Sequence, residues 1–66
     1  MRITRENRNM IEIVAGAHWI IIDPNGVVVN DNQTCEELDR FDWSNIKRLS
    51  SYSAAAYEKA IEKFKE

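Results

Sequence analysis

Two apolar, β-branched runs on either side of a turn sequence constrain this chain more than any other feature. Residues 18–22 read His-Trp-Ile-Ile-Ile, residues 27–30 read Val-Val-Val-Asn, and Asp-Pro-Asn-Gly lies between them. Pro24 presets φ for the second position of a type I turn and Asn25 suits the third. Gly26 then supplies the positive φ that closes such a hairpin with a one-residue bulge. The sequence therefore predicts a β-hairpin at this place.

A third strand is predicted just before the hairpin. Residues 10–14 read Met-Ile-Glu-Ile-Val, an alternation that puts Ile11 and Ile13 on one face of a half-buried strand. The following Ala-Gly-Ala offers a tight connection. We therefore expect a three-stranded antiparallel meander over about residues 10–30, while residues 1–9 form either a flexible segment or an edge strand.

The central predicted strand is apolar on both of its faces. Trp19 and Ile21 share one face, and Ile20 and Ile22 share the other. A sheet covered on one side normally alternates apolar with polar residues, so this strand departs from that pattern. One face must meet the helices, and the other is either covered by a further segment or left open for a partner.

A capping-box sequence indicates a helix after the hairpin. Thr34-Cys35-Glu36-Glu37 fits the pattern S/T-x-x-E, which would place Cys35 and Leu38 on a buried helix face. Asp42 is typical of a second helix start. Residues 34–49 are therefore expected to form either one kinked helix or two short ones.

The last segment has the spacing of an amphipathic helix. Tyr57, Ala60, Ile61 and Phe64 recur at i, i+3, i+4 and i+7, and Ser53 is a suitable N-cap. Residues 56–64 are similar to one helix of a tetratricopeptide repeat, a resemblance confined to that helix that implies no function here.

Together these elements predict the α+β class, as a single domain spanning residues 1–66. The three-stranded meander is followed by a short helical segment and a C-terminal helix packed on one sheet face. The expected core comprises one face of residues 19–22, Val28 or its neighbours, and Ile11, Ile13, Leu38, Ile46, Leu49, Tyr57, Ile61 and Phe64.

The residue content argues against an enzyme, a metal site and a cofactor. One cysteine and one histidine do not make a zinc site by themselves, and two glycines make no phosphate-binding loop. Cys35 is more typical of a core residue than of a nucleophile. The polar N-terminus and the absence of a long apolar run lead us to expect a cytoplasmic protein with no membrane segment.

Charge is unevenly distributed along the chain, whose net charge is −2. Residues 2–8 carry three arginines against one glutamate, whereas residues 31–42 carry five acids against one arginine. Acidic patches attract basic protein surfaces. We therefore expect a protein-binding module that contacts a basic partner through Asp31, Glu36, Glu37, Asp39 and Asp42, with Trp43 as an aromatic anchor. Small acidic domains of this kind resemble phage or mobile-element inhibitors that cover a nucleic-acid-binding surface of a host complex.

Two alternatives follow from other parts of the sequence. Arg2, Arg5 and Arg8 could form a basic arm of a nucleic-acid-binding module, although the pI of about 5.3 argues against that use. The second alternative is a structural accessory domain that forms a homodimer through a sheet edge or through the second apolar face.

Overall fold

A computed structural model describes residues 1–64, which form one antiparallel sheet followed by two helical segments. The strands are β1 (Arg2–Asn7), β2 (Met10–Ala15), β3 (His18–Asp23), β4 (Gly26–Asp31) and β5 (Glu37–Phe41). A 3-10 helix (Trp43–Ser51) and helix α1 (Ala54–Phe64) complete the fold. The predicted α+β class, with an antiparallel sheet and a C-terminal helix, is confirmed. The sheet has five strands in chain order rather than the three predicted.

The β3–β4 hairpin has the positive φ that the sequence predicts at Gly26, at 146°. The predicted one-residue bulge is wrong, because the register continues unshifted to the pair Asp23–Gly26. The Asp23 carboxylate accepts hydrogen bonds from the backbone N–H groups of Asn25 and Gly26, at 2.8 and 3.1 Å. Since a side chain closes the turn in this way, the tight two-residue loop needs no bulge.

One face of the sheet forms the floor of the core. Its register aligns two cross-strand rows, one running from Ile11 through Ile22 and Val27 to Phe41, the other from Ile13 through Ile20 and Val29. The aliphatic members of these rows are at most 2% exposed. The sequence predicted that Val28 or its neighbours would be in the core. The neighbours Val27 and Val29 are the buried residues, and Val28 points to the opposite face. We call the face carrying these rows the covered face.

Both helical segments pack on the covered face. The 3-10 helix contributes Leu49, which is fully buried. Helix α1 begins as predicted at the N-cap Ser53, whose hydroxyl accepts from the N–H of Ala56 at 3.1 Å. Its fully buried residues are Ala56 and Ala60, with the larger side chains lying at the border of the core. Small residues at the contact allow the helix backbone to approach the sheet closely.

The predicted helix start at Thr34 is wrong. Asp31 accepts from the N–H groups of Gln33 and Thr34, and the Asp31 N–H donates to the carbonyl of Glu36, which closes a turn instead. Cys35 adopts a φ of 65° and is exposed, so the prediction that it is buried is also wrong. β5 then pairs with β4 and satisfies backbone groups that would otherwise be left open along three consecutive valines. This long-range pairing outweighs the local capping signal.

Candidate functional site

The predicted acidic residues lie together along the edge strand β5 and at its two ends. Glu37 and Asp39 belong to β5, Glu36 directly precedes it and Asp42 directly follows it. Asp31 lies at the end of β4, where it begins the turn into β5. We call these five residues the acidic margin. Because β5 is the last strand of the sheet, the margin occupies a free edge of the molecule.

Two carboxylates of the margin are held by arginines. Glu37 makes a two-pronged contact with Arg40, at 2.8 and 3.1 Å. Asp39 accepts from the Tyr52 hydroxyl at 2.8 Å and from Arg48 at 2.6 Å. The hydrogen bond from Arg40 lowers the pKa of Glu37, and the Tyr52 hydroxyl is the main cause of the lowered pKa of Asp39. Both carboxylates are therefore charged at neutral pH, and each has an arginine partner.

Two further carboxylates cap local structure. Backbone N–H groups of Thr34 and Gln33 lower the pKa of Asp31. Asp42 is the N-cap of the 3-10 helix, where it accepts from the N–H and hydroxyl of Ser44, and the hydroxyl contact chiefly lowers its pKa. The Glu36 side chain is exposed and, within residues 1–64, forms no ion pair. Glu36 is thus the margin residue whose charge is most accessible to a partner.

Trp43 lies partly buried rather than presented to solvent. Its indole N–H donates to the Asp23 carbonyl at 2.7 Å, and its ring meets Phe64 edge-on at 5.9 Å. These contacts orient Trp43 toward the core. Leu38, expected in the core, is instead 50% exposed between Glu37 and Asp39, so that prediction is wrong. Sequence reasoning missed this exposed apolar residue because a helix through residues 34–41 would have turned it inward.

The N-terminal arginines form part of the sheet. Arg2 and Arg5 lie in β1, paired with β2, and Arg8 lies in the turn that follows. The predicted basic arm is therefore an edge strand at the opposite side of the sheet from β5. The charge asymmetry of the sequence becomes a spatial one, with a basic edge and an acidic edge separated by three strands.

The face of the sheet opposite the helices carries a second surface, which we call the open face. Its apolar members include Val14, Trp19, Ile21 and Val28, which the register places side by side on β2, β3 and β4. They are partly exposed, and none packs against the core. The Trp19 N–H donates to Glu12 at 3.2 Å, and Glu12 also lies 4.0 Å from Arg5. Both faces of β3 are thus apolar, as predicted, but within residues 1–64 no segment covers this one.

A cleft of about 500 Å³ lies where the β3–β4 turn meets the end of β5. Its polar lining includes Asn25, Arg40, Asp42 and Arg48. Arg40 and Arg48 each pair with a carboxylate of the chain, so neither arginine is free to bind a charged ligand in the cleft. Among the described residues, no three acidic, histidine or cysteine side chains come together as a metal site would require.

None of the helices in residues 1–64 combines the length and the apolar composition needed to cross a membrane. No protein-family model, curated protein or solved structure matches this chain, so the surfaces described above are the basis for any functional conclusion.

Proposed function

We propose that this chain is a non-enzymatic protein-binding module that contacts a basic protein surface through the acidic margin. The observation that carries this proposal is the position of the margin. Four of the five carboxylates lie in β5 or directly beside it, and the fifth, Asp31, ends β4 where the chain turns into β5, with the half-exposed Leu38 among them. Five carboxylates against the two arginines that pair with them, Arg40 and Arg48, leave this edge with a net negative charge. A net negative charge steers a basic partner during association, and an apolar side chain among the carboxylates adds contact area.

The edge strand favours side-chain contacts over strand addition. The N–H of Arg40 donates to the carboxylate of Asp39 at 2.8 Å, so this group is not available to an added strand. Charged side chains on an edge are also a common protection against pairing with another chain. The margin is therefore proposed to recognise a folded basic surface, and not to extend the sheet of the partner.

Within this class, we propose an inhibitor that covers a basic, nucleic-acid-binding surface of a larger complex. The small size of the module and its fixed carboxylates support this use, because carboxylates can take the place of phosphates against arginine and lysine. Such a role is consistent with a cytoplasmic location. A single-domain inhibitor of this kind requires no catalytic group of its own.

Capture with matched charge variants tests the proposal. The tagged chain, the margin variant Glu36→Lys/Glu37→Lys and the control Glu58→Lys/Glu62→Lys are each passed through a nuclease-treated bacterial lysate. The control makes the same charge change at exposed positions of helix α1. We expect a basic protein to be retained by the wild type and the control but lost from the margin variant. The proposal is wrong if no protein is retained better by the wild type than by the margin variant.

Leu38 provides a second, charge-neutral test. The change Leu38→Ser removes apolar area from the margin without altering its charge, and the half-exposed side chain is not needed by the core. We expect weaker retention of the same protein, through faster dissociation rather than slower association. Dissociation rates measured by surface plasmon resonance separate the two effects.

A further inference from the structure

The β3–β4 turn contains the one asparagine of the chain that a glycine follows. The backbone nitrogen of the next residue can attack the Cγ atom of an asparagine side chain, and a Cβ atom on that residue hinders the approach. Six asparagines occur in the sequence, and Asn25 alone precedes a residue without a Cβ atom. The residues that follow the other five are Arg8, Met10, Asp31, Gln33 and Ile46. Asn25 is therefore the asparagine with the least steric protection against this reaction.

The Asn25 side chain is also accessible in the folded chain. Asn25 is exposed at the tip of the hairpin, and within residues 1–64 its side-chain amide forms no hydrogen bond. By contrast, the Asn30 amide is buried and donates to the Trp19 carbonyl at 3.2 Å. The side-chain oxygen of Asn7 accepts from the Asn9 N–H at 2.8 Å. The reacting carbon of Asn25 is thus not held away from its neighbour by bonds of this kind.

The attacking nitrogen, however, is held by a neighbouring carboxylate. The Gly26 N–H donates to Asp23 Oδ1 at 3.1 Å, and Gly26 is buried. This nitrogen must lose its proton and turn toward Cγ before it attacks, and both steps break the hydrogen bond. The negative charge of Asp23 also opposes the development of negative charge on the nitrogen. The folded turn should therefore slow a reaction that its sequence favours.

We infer that Asn25 is a site of spontaneous deamidation, and that Asp23 controls the rate by holding the Gly26 N–H. The Gly26 nitrogen forms a bond to Cγ of Asn25, the bond from Cγ to Nδ2 breaks, and Nδ2 leaves as ammonia with the proton lost from Gly26. Water then opens the five-membered ring at one of its two carbonyl carbons, which leaves aspartate or isoaspartate at this position. Asp23 is a positioning residue, since it acts through the Gly26 nitrogen.

The two products differ in their effect on the fold. Either product adds one negative charge to the net charge of −2. Isoaspartate also lengthens the main chain of the two-residue turn by one methylene group. Gly26 has no space for the resulting shift, because a Cβ atom there would already lie 2.3 Å from the Phe41 carbonyl oxygen. We therefore expect the isoaspartate form to lose stability and the aspartate form to keep the wild-type fold.

Peptide mapping by mass spectrometry tests the site. The wild-type chain is incubated at neutral pH, either folded in buffer or unfolded in urea, and the rate of conversion is measured at each asparagine. We expect Asn25 to convert first in both conditions, and faster in the unfolded chain. Conversion of another asparagine ahead of Asn25, no conversion of Asn25 in urea, or equal rates in the two conditions would overturn the inference.

Two substitutions test the role of Asp23. Asp23→Asn keeps an oxygen that can accept from Gly26 but removes the charge, whereas Asp23→Ala removes both. We expect folded Asp23→Ala to convert Asn25 about tenfold faster than the wild type, the effect of losing a hydrogen bond to a charged group, with Asp23→Asn between the two. In urea all three chains should convert at similar rates, because the turn is then absent.

Gly16→Ala controls for a general loss of stability. Gly16 has a φ of 60° in the turn between β2 and β3, so the substitution adds strain without touching the β3–β4 turn. Circular dichroism and urea unfolding measure the fold and stability of each variant. Folded Gly16→Ala should convert Asn25 at close to the wild-type rate, because local opening of the β3–β4 turn admits the reaction. An Asp23→Ala rate no higher than that of the wild type or of Gly16→Ala would show that Asp23 does not protect Asn25.

Discussion

Asp39 shows how a single residue of the margin serves both the fold and the surface. Its side chain is only 17% exposed and joins three parts of the chain, since it contacts Tyr52, Arg48 and the Arg40 N–H. The same Tyr52 ring meets His18 edge-on at 5.1 Å, which connects the network to the start of β3. Asp39 therefore anchors β5 to the helical layer while its charge remains part of the acidic margin.

The lowered pKa of Asp39 leads to a prediction about acid stability. Because the folded pKa lies below the ordinary value of 3.8, the unfolded chain binds this proton first as the pH falls. The stabilisation is complete well above pH 3.8 and is lost as the pH falls through the folded value. We expect Asp39→Asn to lower the free energy of unfolding near pH 6. Between pH 6 and about pH 3, the free energy of unfolding should then fall less in the variant than in the wild type.

Urea unfolding of both proteins at the two pH values measures this difference. Asp31 and Asp42 also have lowered pKa values, so the variant should keep part of the pH dependence. An identical loss of stability in the two proteins would show that Asp39 does not contribute to acid unfolding.

At the scale of the elements, the segments with strong local signals were predictable from the sequence. The β3–β4 hairpin follows from its turn residues, and helix α1 follows from its spacing and from the N-cap Ser53. Residues 34–41 were not predictable in this way, because Thr34 and Glu37 satisfy a helix-capping pattern. Only the pairing of β5 with β4 makes that segment extended, and this pairing depends on backbone groups distant in sequence.

The same limit applies to the candidate site. The identity of the acidic residues was evident from the charge of residues 31–42, but their arrangement was not. The strand places Glu37 on the open face and Asp39 on the covered face, where Tyr52 and Arg48 of the helical layer hold it. Leu38 was expected in the core for the same reason, since the switch from helix to strand changes which side chains point inward.

The contact between the β3–β4 turn and the end of β5 yields a prediction at this scale. A Cβ atom on Gly26 would lie 2.3 Å from the Phe41 carbonyl oxygen and 2.9 Å from the Cα of Asp42. Its φ of 146° is also unfavourable for any other residue. We expect Gly26→Ala to destabilise the fold by at least about 2 kcal/mol, because backbone must move.

Gly16 provides the matched control, since it also has a positive φ, of 60°, but has open space around it. Gly16→Ala should therefore cost only the conformational strain, on the order of 1 kcal/mol. Urea unfolding compares the two variants. Equal losses of stability would mean that the contact with β5 is not important.

At the scale of the whole molecule, the chain covers one apolar face and leaves another open. A chain of 66 residues has a thin core, and here its fully buried large side chains are supplied almost entirely by the sheet. Val14, Trp19, Ile21 and Val28 on the open face are partly exposed and lie outside the core, so the packing that stabilises the domain is confined to the covered face.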